Sequence, residues 1–171
     1  MSESIQSNTL SSSAVSNTFI SVSKDHAKPI QEFAVGDLVL AADSAALKTW
    51  TQKPVKFAMG LVEGQIRIVR IFFGDENEKT KDLAVTMDQL FLMRDGKLKK
   101  ASTLIPHSDQ LIQADGTTVA IQSISIETFY QGINDLATSG SPAKSMDGHL
   151  LLANGIVIGD YALQLGYRAD Q

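Results

Sequence analysis

Glycine preceded by aspartate or asparagine recurs along this 171-residue chain and divides it into short segments. Such dipeptides favour the tight turns of β-hairpins because both of their residues tolerate positive φ. The segments between them are apolar, or they alternate apolar and polar residues as strands do. The pattern predicts a compact all-β chain of many short strands. The dipeptides are Asp95-Gly96, Asp115-Gly116, Asp147-Gly148 and Asn154-Gly155, and the predicted strands cover residues 37–41, 65–73, 83–86, 90–93, 118–126, 150–153 and 156–158.

Four segments carry finer expectations. Residues 118–126 alternate until Gln122-Ser123, where the phase changes, and this change predicts a β-bulge. Residues 100–104, which precede Pro106, predict one helical turn. Residues 131–140 predict a loop or a short helical turn, and residues 44–56 predict a surface connection.

Composition excludes several classes of function. The chain has no cysteine, which excludes disulfides, thiolate metal sites and a cysteine nucleophile. Its formal charge is −4 without a basic stripe, so no nucleic-acid partner is expected. Its three histidines lie far apart in the sequence, and we expect no metal and no cofactor. Neither a signal-peptide pattern nor a membrane-length apolar run occurs, so the chain is expected to be cytoplasmic, without a membrane partner.

The distribution of polar residues predicts three parts. Residues 1–12 are rich in serine and predict a flexible tail. Residues 13–160 form the predicted β domain, and residues 161–171 form a C-terminal tail whose last residues, 168–171, are frayed.

Several segments follow one another in an order that belongs to a known family. Residues 28–40 read KPIQEFAVGDLVL and resemble the KPIEDIKVGDKVL segment near the start of Hedgehog/intein (Hint) domains. Residues 85–92 read VTMDQLFL and resemble the VTxDHPFL block of that family. Residues 149–160 read HLLLANGIVIGD and are similar to its closing block, HxYFANGILVHN. The resemblance covers residues 13–160 and implies a pseudo-two-fold, horseshoe-like all-β fold.

The resemblance also implies a chemistry, the rearrangement of a peptide bond at a cleft where the two ends of the domain meet. A nucleophile attacks the preceding carbonyl and forms an ester or thioester, and a histidine protonates the departing nitrogen. In inteins a terminal asparagine then cyclises, assisted by the histidine before it. Counting back four residues from Asn17 places Ser13 at the nucleophile position.

The chain departs from this pattern at most of the chemical positions. Ser13 is either a weak nucleophile that needs a base or one more residue of a solvated serine run. Gln89 replaces the block histidine and cannot supply a proton near neutral pH, while Thr86 remains as an ordinary strand residue. Gly159-Asp160 replaces the terminal His-Asn pair, and Asp160 is interpreted as a turn or capping residue. His149 matches the inner histidine of the family, and its structural and catalytic interpretations are equally open.

Three functions are consistent with this degenerate pattern. The leading one is a catalytically inactive Hint-like protein that binds a peptide or protein, such as an accessory that presents a precursor peptide to a modifying enzyme. The second is a slow autoprocessing domain that cleaves before Ser13 or beside Asp160. The third is a structural or dimerising β domain, whose partner is a second copy of the chain.

Overall fold

The computed structural model of the protein describes residues 13–61, 64–130 and 132–169. The predicted flexible tail at residues 1–12 lies outside these residues. The described chain forms fifteen strands, two short 3-10 helices and one α-helix. The strands are β1 (Ala14–Val15), β2 (Phe19–Ser23), β3 (His26–Pro29), β4 (Leu38–Ala42), β5 (Trp50–Pro54), β6 (Phe57–Leu61), β7 (Ile66–Phe73), β8 (Lys81–Thr86), β9 (Leu90–Leu92), β10 (Leu98–Lys100), β11 (Gln110–Ile112), β12 (Thr118–Phe129), β13 (Ile133–Ala137), β14 (Leu150–Ala153) and β15 (Ile156–Gly159); the α-helix is α1 (Tyr161–Ala169), and the 3-10 helices are Ile30–Glu32 and Ala101–Thr103.

The strands form two antiparallel sheets that share one core. The first sheet has the order β11-β12-β7-β8-β1-β13-β6. The second contains β10-β9-β15-β14-β2-β3, with β4 paired to β14 and β5 paired to β4. The largest buried apolar cluster takes side chains from both sheets, such as Val69 and Val85 from the first and Phe91 and Ile158 from the second. Burial of this apolar surface holds the two sheets together.

The local sequence signals are confirmed at several places. The register of β12 against β7 shifts between Ile121 and Ser123, which is the bulge predicted from the change of phase. Asn154 and Gly155 both have positive φ, 49° and 84°, as a tight hairpin turn between β14 and β15 requires. The helical turn predicted before Pro106 is the 3-10 helix Ala101–Thr103.

Three segments differ from their sequence interpretations. Residues 133–137, expected in a loop or helical turn, form β13, because this segment is held between β1 and β6 despite its polar Asn134-Asp135. The expected surface connection contains β5, whose residues are mostly exposed because, among the residues that the structure describes, this strand pairs only with β4. The region expected as a C-terminal tail begins with α1, whose first four residues are buried.

Candidate functional site

Ser13 lies where three strands of the first sheet meet. Ala14 of β1 pairs with Val85 of β8 on one side and with Asn134 of β13 on the other, and both ladders are antiparallel. One residue earlier in β1 therefore faces one residue later in each neighbour. The register places Ser13 opposite Thr86 and Asp135, and residues opposite each other in a sheet project their side chains to the same face.

The hydrogen bonds of Ser13 follow from this register. The Ser13 amide donates to Thr86 Oγ1 at 3.0 Å, and the Thr86 amide donates to the Ser13 carbonyl at 2.9 Å. The Ser13 hydroxyl donates to Asp135 Oδ1. Ser13 is only 1% exposed. It is therefore a buried, oriented residue and does not belong to a solvated serine run.

Asp135 was not singled out from the sequence. It lies in the segment expected to be a loop, and aspartate is uncommon in strands. The sequence signal that could have identified Asp135 is its apolar neighbours. Ile133 on one side and Leu136-Ala137 on the other are apolar and buried. A carboxyl group flanked by such residues is buried only where it has hydrogen-bond partners, and here Asp135 is 3% exposed and accepts the Ser13 hydroxyl.

Ser13, Thr86 and Asp135 form one row of polar residues on the first sheet. A second row, His149 and Asp160, lies at the ends of β14 and β15 on the other sheet. Leu150 of β14 pairs with Gly159 of β15, so the same register places His149 opposite Asp160. The Asp160 amide donates to the His149 carbonyl at 2.9 Å, and His149 Nδ1 is 2.8 Å from Asp160 Oδ2. Because a carboxylate oxygen accepts hydrogen bonds, this contact assigns the ring proton to Nδ1.

Asp160 is also the N-cap of α1. Its side chain is fully buried, and its Oδ1 accepts the Leu163 amide at 2.8 Å. Its Oδ2 accepts the Thr138 amide at 3.0 Å in addition to the His149 ring. The capping interpretation of Asp160 agrees with this geometry. His149 holds the same carboxylate in place, so its contacts fit a structural role.

Gln89 and Thr86 occupy the two ends of one tight turn. The Gln89 amide donates to the Thr86 carbonyl at 3.2 Å, which closes the turn between β8 and β9. The Gln89 side-chain amide donates to the Gly159 carbonyl at 2.7 Å and to the Leu90 carbonyl at 3.1 Å. The structure therefore brings Ser13 together with Thr86. Gln89 is instead held next to Asp160 by its hydrogen bond to the Gly159 carbonyl.

Two small cavities border these rows. One, of about 10 Å³, is lined by Ala14 and Asn134 from the first sheet, by Gln89 from the turn between β8 and β9, and by Asp160 after β15. The other, of about 80 Å³, is lined by Asp135 together with residues of β6 and of the 3-10 helix after β3. The smallest cavity that holds a water molecule has about 10–15 Å³ on this measure. The first cavity is thus closed to ligands, while the second has room for a few waters beside Asp135.

The described residues hold no group of three or more histidine, aspartate and glutamate side chains that could bind a metal ion. No helix within the described ranges is long and apolar enough to cross a membrane.

The chain is similar in structure to several inteins. A bacterial intein-like domain from Clostridium thermocellum superposes with a TM-score of 0.68 at 16% identity, over 86% of this chain and 97% of that chain. A DnaB intein from Synechocystis sp. PCC 6803 gives 0.64 at 19% identity, over 88% and 99%. The gp41-1 intein gives 0.57 at 19% identity, over 86% and 98%. No family model matches the sequence, and no curated protein does.

These similarities establish the fold. The protein has the all-β fold of Hint and intein domains, as the resemblance of its sequence blocks implied.

Proposed function

We propose that the protein is a self-cleaving Hint-like domain that breaks the peptide bond between Ser12 and Ser13. One observation carries the proposal: the Ser13 hydroxyl is bonded to a buried carboxylate while the Ser13 amide, the leaving group of the reaction, is bonded to Thr86. A serine hydroxyl is a weak nucleophile that an adjacent base must activate. Asp135 is in position to be that base.

The reaction has two steps. Ser13 Oγ attacks the carbonyl carbon of Ser12, a C–O bond forms, and the C–N bond to Ser13 breaks. The hydroxyl proton passes to the Asp135 carboxylate and then to the departing nitrogen, so that residues 1–12 are held on Ser13 as an ester. Water then cleaves the ester, which releases residues 1–12 as a carboxylic acid and leaves Ser13 as a new N-terminus.

Thr86 contacts the reacting nitrogen directly. Its hydroxyl oxygen accepts a hydrogen bond from the Ser13 amide at 3.0 Å and lies 3.3 Å from the Ser13 carbonyl oxygen. These contacts fix the orientation of the Ser13 amide, and fixed orientation of reacting groups lowers the barrier. Gln89 donates to Gly159 instead, so no imidazole assists the leaving nitrogen. Loss of a general acid costs about 10²–10⁴ in rate, so the cleavage is expected to be slow.

The C-terminal end of the domain has a different role in this proposal. The carboxylate of Asp160 accepts the Leu163 amide and is held by Thr138 and His149. A side chain bound in this way is a helix cap and does not attack its own backbone. The proposed reaction is therefore limited to the N-terminal bond, and splicing is not part of it.

Intact-mass spectrometry of the freshly purified full chain tests the proposal. The 18.4 kDa chain should lose residues 1–12 over hours to days. Ser13→Ala should keep its full mass, and Asp135→Asn should slow cleavage at least about tenfold, since its amide cannot act as a base.

Ser16→Ala is the matched control for these variants. The Ser16 hydroxyl lies in the same region, and among the described residues it bonds to the Gly132 carbonyl and the Asn134 side chain and not to Ser13 or Asp135. This variant should cleave at the rate of the parent chain. An unchanged mass of the parent chain after long incubation, or equal cleavage of Ser13→Ala, would contradict the proposal.

The second candidate function is to bind a peptide without cleaving it. An accessory protein that presents a precursor peptide to a modifying enzyme would act in this way. The observation that favours it is the pair of edge strands: within the described residues, β5 pairs only with β4 and β6 only with β13. Edge strands present backbone groups to which an extended peptide can add. Selection from a random peptide pool on the immobilised full chain, against a bare-resin control, tests it, and no enriched sequence would count against it.

The edge strand β6 also makes a homodimer a candidate assembly. Its residues Met59 and Leu61 are exposed, and the strand has no charged residue to discourage pairing. Light scattering should show a mass that rises with concentration, and Met59→Lys should abolish the rise. A constant monomer mass for the parent chain would exclude this edge as an interface.

A further inference from the structure

We infer that a groove around Trp50, separate from Ser13, binds an extended peptide in which acidic residues flank an apolar centre. The groove has a volume of about 960 Å³, which is within the range of ligand-binding sites. This inference rests on the second candidate function, peptide binding, and does not depend on self-cleavage.

The floor of the groove is apolar. It contains Leu40 of β4, Leu152 of β14 and Leu47 from the loop between β4 and β5. Leu47 has a φ of +58°, a left-handed conformation that leucine rarely adopts, and yet its side chain is only 8% exposed. Backbone strain of this kind clusters at binding sites. Here the left-handed backbone of Leu47 directs its apolar side chain toward the floor of the groove.

One wall is the single tryptophan of the chain, Trp50 at the start of β5. The indole is half-buried, and its Nε1 donates to the Ala114 carbonyl at 3.0 Å. This bond fixes the ring against the turn between β11 and β12. A fixed aromatic side chain beside aliphatic residues is the usual anchor of a protein–peptide contact, because it provides large apolar area at a small entropy cost.

The groove also reaches the open edge of a sheet. Thr51 and Gln52 line it, and in the described part of the chain their strand β5 pairs with β4 alone. Gln52 Nε2 donates to the Val22 carbonyl at 2.9 Å, which ties β5 to β2. An extended peptide can pair its backbone with such an edge. The groove therefore offers both backbone hydrogen bonds and an apolar pocket.

Charge at the rim selects the flanking residues. Lys24 and Lys48 line the groove and are exposed, and neither has an ion-pair partner among the described residues. Asp115 also lines it, and hydrogen bonds from the Thr117 hydroxyl and amide hold the pKa of its carboxyl below the usual value. The rim thus carries two lysines and one aspartate that is already bonded within its own turn. The rim favours carboxylates near the lysines and disfavours them near Asp115.

The two cavities beside the polar rows are less suited to bind a peptide than the groove at Trp50. The cavity between Gln89 and Ala14 has only about 10 Å³, and the pocket beside Asp135 has about 80 Å³. Neither admits an extended chain without movement of the strands. The groove at Trp50, at about 960 Å³, is more than tenfold larger than the pocket beside Asp135 and far larger than the other cavity.

Two peptides test the inference on the full chain: acetylated and amidated Glu-Leu-Phe-Leu-Glu, and the matched Lys-Leu-Phe-Leu-Lys. Fluorescein-labelled copies report binding by anisotropy, and unlabelled copies report occupation of the groove by the emission of Trp50. The acidic peptide should change both signals with one Kd. The lysine peptide should bind at least about threefold more weakly, and Lys24→Glu or Lys48→Glu should weaken the acidic peptide by about threefold to tenfold, an effect that salt reduces.

Lys79→Glu is the control, since Lys79 is an exposed lysine that does not line the groove. It should leave the Kd unchanged. A change in anisotropy without a change in Trp50 emission would show that the peptide binds elsewhere. This result would overturn the groove as the binding site but leave peptide binding itself intact. No anisotropy change with either peptide would overturn both. Emission that varies with protein concentration alone would assign the groove to a second copy of the chain, and this too would overturn the inference.

Discussion

At the scale of single residues, the site depends on a hydroxyl and a carboxyl group that the fold brings together from distant parts of the chain. Ser13 and Asp135 are 122 residues apart in sequence, and Ser13 and Thr86 are 73 apart. The resemblance to Hint domains placed Ser13 and Thr86 at family positions. It did not reveal Asp135, because no motif contains it and strand propensity argues against a strand there.

Gln164 is a second residue whose environment the sequence does not reveal. It is fully buried in α1, and within the described residues neither atom of its side-chain amide has a hydrogen-bond partner. A buried polar group without a partner costs about 1–3 kcal/mol. Gln164→Met, which keeps the volume and removes the polar atoms, should raise the free energy of unfolding by about 1 kcal/mol and Tm by about 2–4 °C.

Gln122→Met provides the comparison, because the Gln122 side chain bonds to the Gly74 carbonyl and to the Thr80 hydroxyl. This variant should lower Tm, since it removes bonds that exist. Calorimetry of both variants decides the matter: a loss of stability in Gln164→Met similar to that in Gln122→Met would show that Gln164 is satisfied after all.

At the scale of elements, the C-terminal helix α1 is the largest departure from the sequence prediction. Its start follows the rule for helix N-termini, since Asp160 caps it through the Leu163 amide. Its fixed position comes from tertiary contacts that short-range patterns do not contain. Tyr161 stacks on Phe57 of β6 with ring centroids 5.2 Å apart, and the Ala143 amide donates to the Ala162 carbonyl at 2.9 Å.

Gly166 tests how closely α1 packs. Alanine normally stabilises a helix relative to glycine by about 1 kcal/mol. A Cβ atom at Gly166, however, would lie 1.9 Å from the Ala143 carbonyl oxygen, so the helix or the loop at Ala143 would have to move. Gly166→Ala should therefore reverse the usual sign and destabilise the protein by about 1–3 kcal/mol in urea unfolding.

Gly140→Ala is the matched control, because a Cβ atom there meets nothing within 4 Å. It should be neutral or slightly stabilising. If Gly166→Ala were as stable as Gly140→Ala, the described packing of α1 on residue 143 would be incorrect.

At the scale of the whole molecule, much of the fold follows from local signals. The Asp-Gly and Asn-Gly turns, the alternation of β7 and the bulge in β12 are properties of neighbouring residues, and all could be predicted. The order of strands could be approached only through the resemblance of the blocks. The insertion of the two-residue strand β1 between β8 and β13 could not be predicted, because so short a strand carries no periodicity.

That insertion is what creates the site. It continues the antiparallel register of two neighbours by one residue, so that Ser13 faces Thr86 and Asp135 together. The same core that joins the two sheets positions the turn carrying Thr86 and Gln89 between them. In the proposed self-cleavage, this row of Ser13, Thr86 and Asp135 acts on the N-terminal bond, while Asp160 at the other end of the domain caps α1.

The most direct test of self-cleavage is to trap the ester. The freshly purified chain would be treated with hydroxylamine at neutral pH, beside Ser13→Ala, and the products identified by mass spectrometry. Because hydroxylamine can also attack Asn154-Gly155, cleavage there must be the same in both chains. If Ser13 forms the ester, residues 1–12 should be released as a hydroxamate from the parent chain only. Release of no such product, or its release from Ser13→Ala as well, would contradict it.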